Sequence, residues 1–184
     1  MPRKVICILT GSIFLIWMAI YNQYPLVFSD TGSYITGEEL RRAIGYHYFI
    51  NITSLHFSLW FTIFSQSLIT SALLIRITSV IFKNTKFNDL IAFLILFLII
   101  LLTDISTYTS CLIPDVFTSW LFLSFILLIS STKWYDKLLG KISIWLALFC
   151  HGSNIIIAIL SLFILLPTSS LYKNYGLLFK ESLI

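Results

Sequence analysis

An all-α bundle of transmembrane helices is the fold class this sequence predicts, and three observations predict it. The first is composition. Of 184 residues, 58% are hydrophobic and only 11% are charged, where an ordinary soluble domain carries about 25% charged residues. The mean hydropathy is +0.94. The second is the gathering of the apolar residues into five runs, at 5–21, 57–82, 90–103, 116–130 and 142–166. A helix needs roughly 20 apolar residues to cross the hydrocarbon core. The third is the placement of Lys and Arg at the ends of those runs, which sets orientation.

The runs can be justified in order. Met1-Pro2-Arg3-Lys4 precedes the first and has the basic character of a signal-peptide start. No small-x-small site follows the run, and Tyr21-Asn22-Gln23-Tyr24-Pro25 is a poor peptidase substrate, so we expect a retained first span. In the next loop, 38–44 is good helix-forming material, and Tyr46, Tyr48, Phe49 and Ile50 follow it. That mixture predicts a short interfacial helix lying on the outer membrane surface. Gln66, in the middle of the second run, reads as packing glue between helices. Residues 83–88 read as a tight turn. The third and fourth runs are short for a crossing unless 104–114 dips to membrane level. The fifth is long and is interrupted by His151-Gly152-Ser153-Asn154, so it predicts a broken or tilted helix, or two half-helices. The tail 168–184 mixes Leu, Tyr and Phe with Lys and Glu and reads as another interfacial piece. No internal repeat divides the chain, and 1–184 is expected to form a single membrane domain.

If the five runs alternate, Arg3, Lys4, Arg76, Lys83, Lys86, Lys133, Lys137 and Lys141 share one side. The other side holds Arg41, Arg42, Lys173 and Lys180. The richer side should be cytoplasmic, with the N-terminus there. The loops 22–56 and 104–115 then both face outward, and their acidic segments share a side. The formal net charge of +4 is therefore a matter of topology rather than a sign of nucleic-acid binding. Cys7, Cys111 and Cys150 lie in or beside apolar runs without metal-ligand spacing and read as small buried residues. No Walker A, GxGxxG, HExxH or GxSxG pattern occurs, so nothing points to ATP, NAD or zinc-protease chemistry.

Few residues remain that could carry chemistry. Asp30, in Phe28-Ser29-Asp30-Thr31-Gly32-Ser33-Tyr34, reads either as a helix N-cap or as a carboxylate that takes a proton from an acceptor hydroxyl. Gly32 would let a substrate or another backbone approach. Arg41, Arg42 and His47 read as lipid-headgroup contacts or as partners for a phosphate. Asp104 and Asp115 flank a hydroxyl-rich stretch that suits polyol recognition or a hydrated divalent metal, although no ligand spacing names one. A helix-dipole role for Asp115 competes with this. His151 and Asn154 read as interhelical hydrogen-bonding groups or as a wall of the same outward cavity. Asn51-Ile52-Thr53 matches a glycosylation sequon.

The sequence of motifs resembles a known group. An outward loop carries Tyr-Pro-Leu-Val-Phe-Ser-Asp-Thr-Gly-Ser-Tyr-Ile, followed by Arg41-Arg42 and Gly45-Tyr46-His47-Tyr48-Phe49. Ser58-Leu59-Trp60, Gln66, Cys111-Leu112-Ile113-Pro114-Asp115 and His151-Gly152-Ser153-Asn154 come later. Across 24–154 this is similar to polytopic bacterial membrane proteins and, more broadly, to the GT-C superfamily of membrane glycosyltransferases. That resemblance implies an integral protein of the bacterial inner membrane that takes sugar from a polyprenyl phosphate carrier at the outer face. It implies Asp30 as the base and Asp115 as a second-loop acid. It also implies Arg41, Arg42 or His47 as phosphate partners, and the reading of the residues above sets Asp104 and His151 beside the substrate. Superfamily members usually have more spans than the five counted here, so a truncated or split member, or one completed by a partner membrane protein, is expected. The contrasting expectation is a non-enzymatic scaffold or accessory subunit of an envelope-polysaccharide system.

Overall fold

The computed structural model describes residues 2–37, 44–82, 88–161 and 163. Arg41, Arg42, Lys83, Lys86 and the tail from 164 onward, with Lys173 and Lys180, lie outside the described residues. The described chain is all-helical. Its order is α1 (Pro2–Leu15), α2 (Trp17–Asn22), α3 (Thr31–Thr36), α4 (Ile44–Ser54), α5 (Leu59–Ile81), α6 (Asn88–Leu102), α7 (Ile105–Ser110), α8 (Val116–Ser130) and α9 (Trp134–Cys150), and residues 153–161 are helical again.

By length and composition, α5 is the one described helix long and apolar enough to cross a membrane, at 23 residues. The apolar helices α6 and α8 have 15 residues each, below the roughly 20 that a crossing requires. The fifth apolar run begins its helix earlier than the hydropathy suggests, at Trp134, and breaks at His151, whose backbone is extended. A broken helix was one of the forms predicted for it.

α5 is the axis of the bundle. On one side it packs with α1 and α6 through Leu15, Leu74, Ile75, Ala92, Leu96 and Ile100. On the other it meets α4, α8 and α9 through Tyr46, Phe49, Leu73, Phe117, Trp120 and Ala147. Small residues make the first contact close. A Cβ on Gly11 would collide with Leu96 and Ser71, and the Ser71 hydroxyl donates to the Ile8 carbonyl at 2.9 Å.

Polar residues share the interior with the apolar core, and large apolar residues face outward. Thr62, Gln66, Ser67, Thr70, Ser71, Ser124, Asp136, Ser143 and Asn154 are fully buried, whereas Val5, Ile6, Leu94, Leu98, Leu101, Phe122, Ile129, Ile142 and Trp145 are exposed. Most of these buried groups are held by bonds within and between helices, for example Trp120 Nε1 to Thr70 Oγ1 at 2.9 Å, whereas the Ser124 and Ser143 hydroxyls have no partner among the described residues.

The two ends of the bundle differ in chemistry. At one end Lys4 meets Asp89 at 3.4 Å, where α1 and α6 both begin. Arg76, near the end of α5, meets Asp136, near the start of α9. The other end carries α3, α7 and the turn before α8.

The first-loop helix is described from Ile44 onward. Residues 38–43 lie outside the described residues, and α4 is buried on one face and exposed on the other, where Ile44, Tyr48 and Ile52 stand. Tyr46 is 0% exposed and Phe49 and Ile50 are buried, so α4 sets one aromatic face into the core. The physical reason is a close backbone contact. A Cβ on Gly45 would run into the Phe149 carbonyl of α9. Gly45→Ala should therefore destabilise the fold by about 1–3 kcal/mol through overpacking, measured as a lower thermal unfolding midpoint in detergent. An unchanged midpoint would show that α4 and α9 can separate at no cost.

Candidate functional site: an acidic cleft continuous with an apolar groove

Two loops far apart in sequence are zipped together at the acidic end. Leu26 donates its N–H to the Ser110 carbonyl at 2.9 Å, and Leu112 donates to the Leu26 carbonyl at 3.0 Å. The buried Thr31 hydroxyl donates to the Leu112 carbonyl at 3.1 Å and accepts the Phe28 N–H at 2.9 Å. From below, Gln66 Nε2 donates to the Cys111 carbonyl at 3.0 Å, and the Tyr46 hydroxyl donates to Gln66 Oε1 at 2.7 Å. α7 is tied to α1 in the same manner, with Thr109 Oγ1 donating to the Leu15 carbonyl at 2.7 Å. Backbone groups in the interior need partners, and these side chains supply them.

The clamp creates a cleft of about 520 Å³ lined by Asp30, Tyr34, Asp104, Thr107, Tyr108 and Asp115, among others. Asp30, Asp104 and Asp115 occupy the N-cap positions of α3, α7 and α8, yet none makes a side-chain capping hydrogen bond. The capping expectation for Asp30 thus holds for its position and not for its carboxylate, whose Oδ1 accepts from the Ser29 hydroxyl at 3.3 Å. Three helix N-termini point their partial positive charge toward these carboxylates. Gly32 is exposed, with open space where a Cβ would stand.

Asp104, Tyr108 and Asp115 also line a second, mostly apolar hollow of about 700 Å³, with Leu74, Ile99, Val116, Phe122 and Leu123. The polar cleft and the apolar groove therefore share a wall. Among the described residues no group of three or more His, Cys, Asp or Glu side chains is placed to hold a metal ion. Cys111 lines the cleft, but burial, with the charge of Asp115 adding to it, pushes its thiol up to about 11. It remains a thiol at neutral pH and is a poor nucleophile.

The remaining expected site residues separate. His47 does not line the cleft. Its Nδ1 is 3.0 Å from the Tyr34 carbonyl and its Nε2 is 2.8 Å from Asn51 Nδ2, and its ring packs where a Cβ on Gly37 would stand. It pins α3 to α4. His151 does reach the acidic end, with Nε2 3.3 Å from Asp115 Oδ1. Asn154 is structural, accepting from Thr118 Oγ1 at 2.8 Å and donating to the Ala147 carbonyl at 2.9 Å. Arg41 and Arg42 lie outside the described residues.

Sequence reasoning reached Thr107 and Tyr108 only as members of the hydroxyl-rich stretch between Asp104 and Asp115, and it missed the role of Thr31. An i, i+4 spacing places Asp104 and Tyr108 on one face of α7, which was the available signal. No family model, curated protein or solved structure matches the chain.

Proposed function

We propose that this chain is a membrane-embedded, glycosyltransferase-like protein that acts on lipid-linked sugars at the outer face of a bacterial inner membrane. The observation that carries the reading is the continuity between a carboxylate-lined cleft and an apolar groove. A lipid-linked sugar needs both. Its hydroxyls require acceptors, and its chain requires an apolar bed. The exposed apolar faces of α1, α6, α8 and α9 support embedding of the bundle in lipid, and the five apolar runs with the placement of Lys and Arg support about five crossings and a cytoplasmic N-terminus.

In this reading Asp30 accepts the proton of an acceptor hydroxyl. The acceptor oxygen forms a bond to the anomeric carbon from the face opposite the carrier. The bond from that carbon to the carrier phosphate breaks, and polyprenyl phosphate leaves. Asp104, Asp115 and Tyr108 receive sugar hydroxyls, and Arg41 and Arg42 hold the phosphate.

Membranes containing the chain should transfer labelled hexose from polyprenyl-phosphate hexose to an endogenous acceptor. Asp30→Asn should lower that transfer by at least ~100-fold at equal membrane level. Full transfer by the variant would remove Asp30 from the chemistry.

A further inference from the structure

The notch that interrupts the last helix holds a second constellation, independent of Asp30. His151 ends α9 with extended backbone, and the chain turns at the exposed Gly152. The turn brings the Ser153 hydroxyl back to 2.7 Å from His151 Nδ1. The opposite ring nitrogen, Nε2, lies 3.3 Å from Asp115 Oδ1 on the neighbouring helix.

This order has a definite proton polarity. Asp115 as a carboxylate can only accept, so it selects the imidazole tautomer that carries its hydrogen on Nε2. Nδ1 is then a lone pair facing the serine, and the Ser153 hydroxyl donates to it. A hydroxyl hydrogen-bonded to a base that is oriented in turn by a carboxylate is the arrangement of an activated nucleophile. Either imidazole nitrogen can take either role. Ser153 is exposed, and Asp115 is about half exposed, so an incoming molecule can reach the hydroxyl. The N–H groups of Asn154 and Ile155 donate to the His151 and Gly152 carbonyls at 3.0 and 3.3 Å, which closes the turn that carries Ser153. Asn154 locks the notch through Thr118 and Ala147, which holds Ser153 on a rigid base.

We propose that Ser153, His151 and Asp115 form a nucleophilic site for carboxylic esters of membrane lipids. The apolar groove that Asp115 also lines suits the acyl chain. Ser153 Oγ bonds to the ester carbonyl carbon while its proton passes to His151 Nδ1, and Asp115 stabilises the imidazolium. Collapse of the tetrahedral intermediate breaks the carbon–oxygen bond of the ester, and the leaving alcohol takes the proton back from His151. The acyl-serine is then released by water along the reverse path.

The test uses a long-chain alkyl fluorophosphonate and the full chain in detergent micelles. Attack on phosphorus forms the serine–phosphorus bond, expels fluoride and leaves the proton on His151. Time-dependent labelling of the peptide that contains Ser153 is expected, read by mass spectrometry. It should be absent in Ser153→Ala and at least ten-fold slower in His151→Gln and Asp115→Asn, with unfolding midpoints monitored to show that each variant is folded. A folded wild-type chain that is not labelled at Ser153, or labelling that His151→Gln leaves unchanged, would overturn the proposal. No sugar donor is present, so either outcome is separate from that of the hexose-transfer experiment.

Discussion

Replacing Arg76 with methionine should destabilise the folded chain by about 3–5 kcal/mol, because it leaves a buried carboxylate without its counter-charge. Arg76 Nε and one terminal nitrogen reach Asp136 Oδ1 and Oδ2 at 2.6 and 2.9 Å. Ser131 Oγ donates to the same carboxylate at 2.6 Å, and the Tyr135 ring stacks 4.8 Å from the guanidinium. Asp136 is 0% exposed. Burial pushes its carboxyl up, but the hydrogen bonds from Arg76 and Ser131 and the charge of Arg76 outweigh burial and hold it below its ordinary 3.8. The sign follows from linkage. A carboxylate with a depressed folded pKa contributes stability in full above its unfolded value, and that stability is lost as pH falls through the folded value. Wild-type stability should therefore drop below about pH 3.8, and Arg76→Met should lack that part of the acid transition. Reversible unfolding in mixed micelles at pH 7 measures the first effect. The paired variant Arg76→Met with Asp136→Leu should recover most of the loss, since an apolar pair avoids the desolvation cost. A single-variant loss under about 1 kcal/mol, the range of exposed pairs, would mean that water reaches Asp136.

Gln66→Leu should cost about 2–5 kcal/mol and should also damage the acidic cleft. The substitution leaves the Tyr46 hydroxyl and the Cys111 carbonyl buried without their partner, at roughly 1–3 kcal/mol each. Burial raises the Tyr46 phenol well above its ordinary range, so it cannot escape by ionising. Because Gln66 supports the strip whose neighbours are zipped to Leu26, Asp30 and Asp115 lose their fixed relation. Hexose transfer should fall at least ten-fold on the proposed reading, since misplacement of about 1 Å can cost two orders of magnitude. A double-mutant cycle separates fold from function. Tyr46→Phe should cost about 1 kcal/mol less in the Gln66→Leu background, because one of the orphaned groups is already gone. Strict additivity of the two substitutions would show that the Tyr46–Gln66 bond carries no energy.

Much of the helical layout was legible in sequence because hydrophobic runs and breakers act locally. The apolar runs at 57–82, 90–103 and 116–130 match α5, α6 and α8 within a few residues. Gln66 was legible as packing glue, since an amide within an apolar run must find a partner. The Arg76–Asp136 pair was not legible. Arg76 looked like a charge at a span end, and its partner lies 60 residues away. His47 and Tyr46 misled for a related reason. Aromatic and basic residues in a loop suit a membrane surface equally well, and only the contact of Gly45 with Phe149 decides that α4 packs against α9. His151 and Asn154 looked alike in sequence, yet one faces Asp115 and the other ties α8 to α9.

By itself the sequence determined the all-helical class, the helix-breaking positions and the identity of the few acids beside them, because propensity and hydropathy depend on near neighbours. The tertiary structure alone decided that Asp30, Asp104 and Asp115 share one cleft, and that Ser153 meets His151 opposite Asp115. Those relations rest on loops zipped across about 80 residues of chain and on small-residue contacts between helices. Such contacts carry no local signature, since a Gly, a Thr or a Gln looks the same whether it faces water or another backbone.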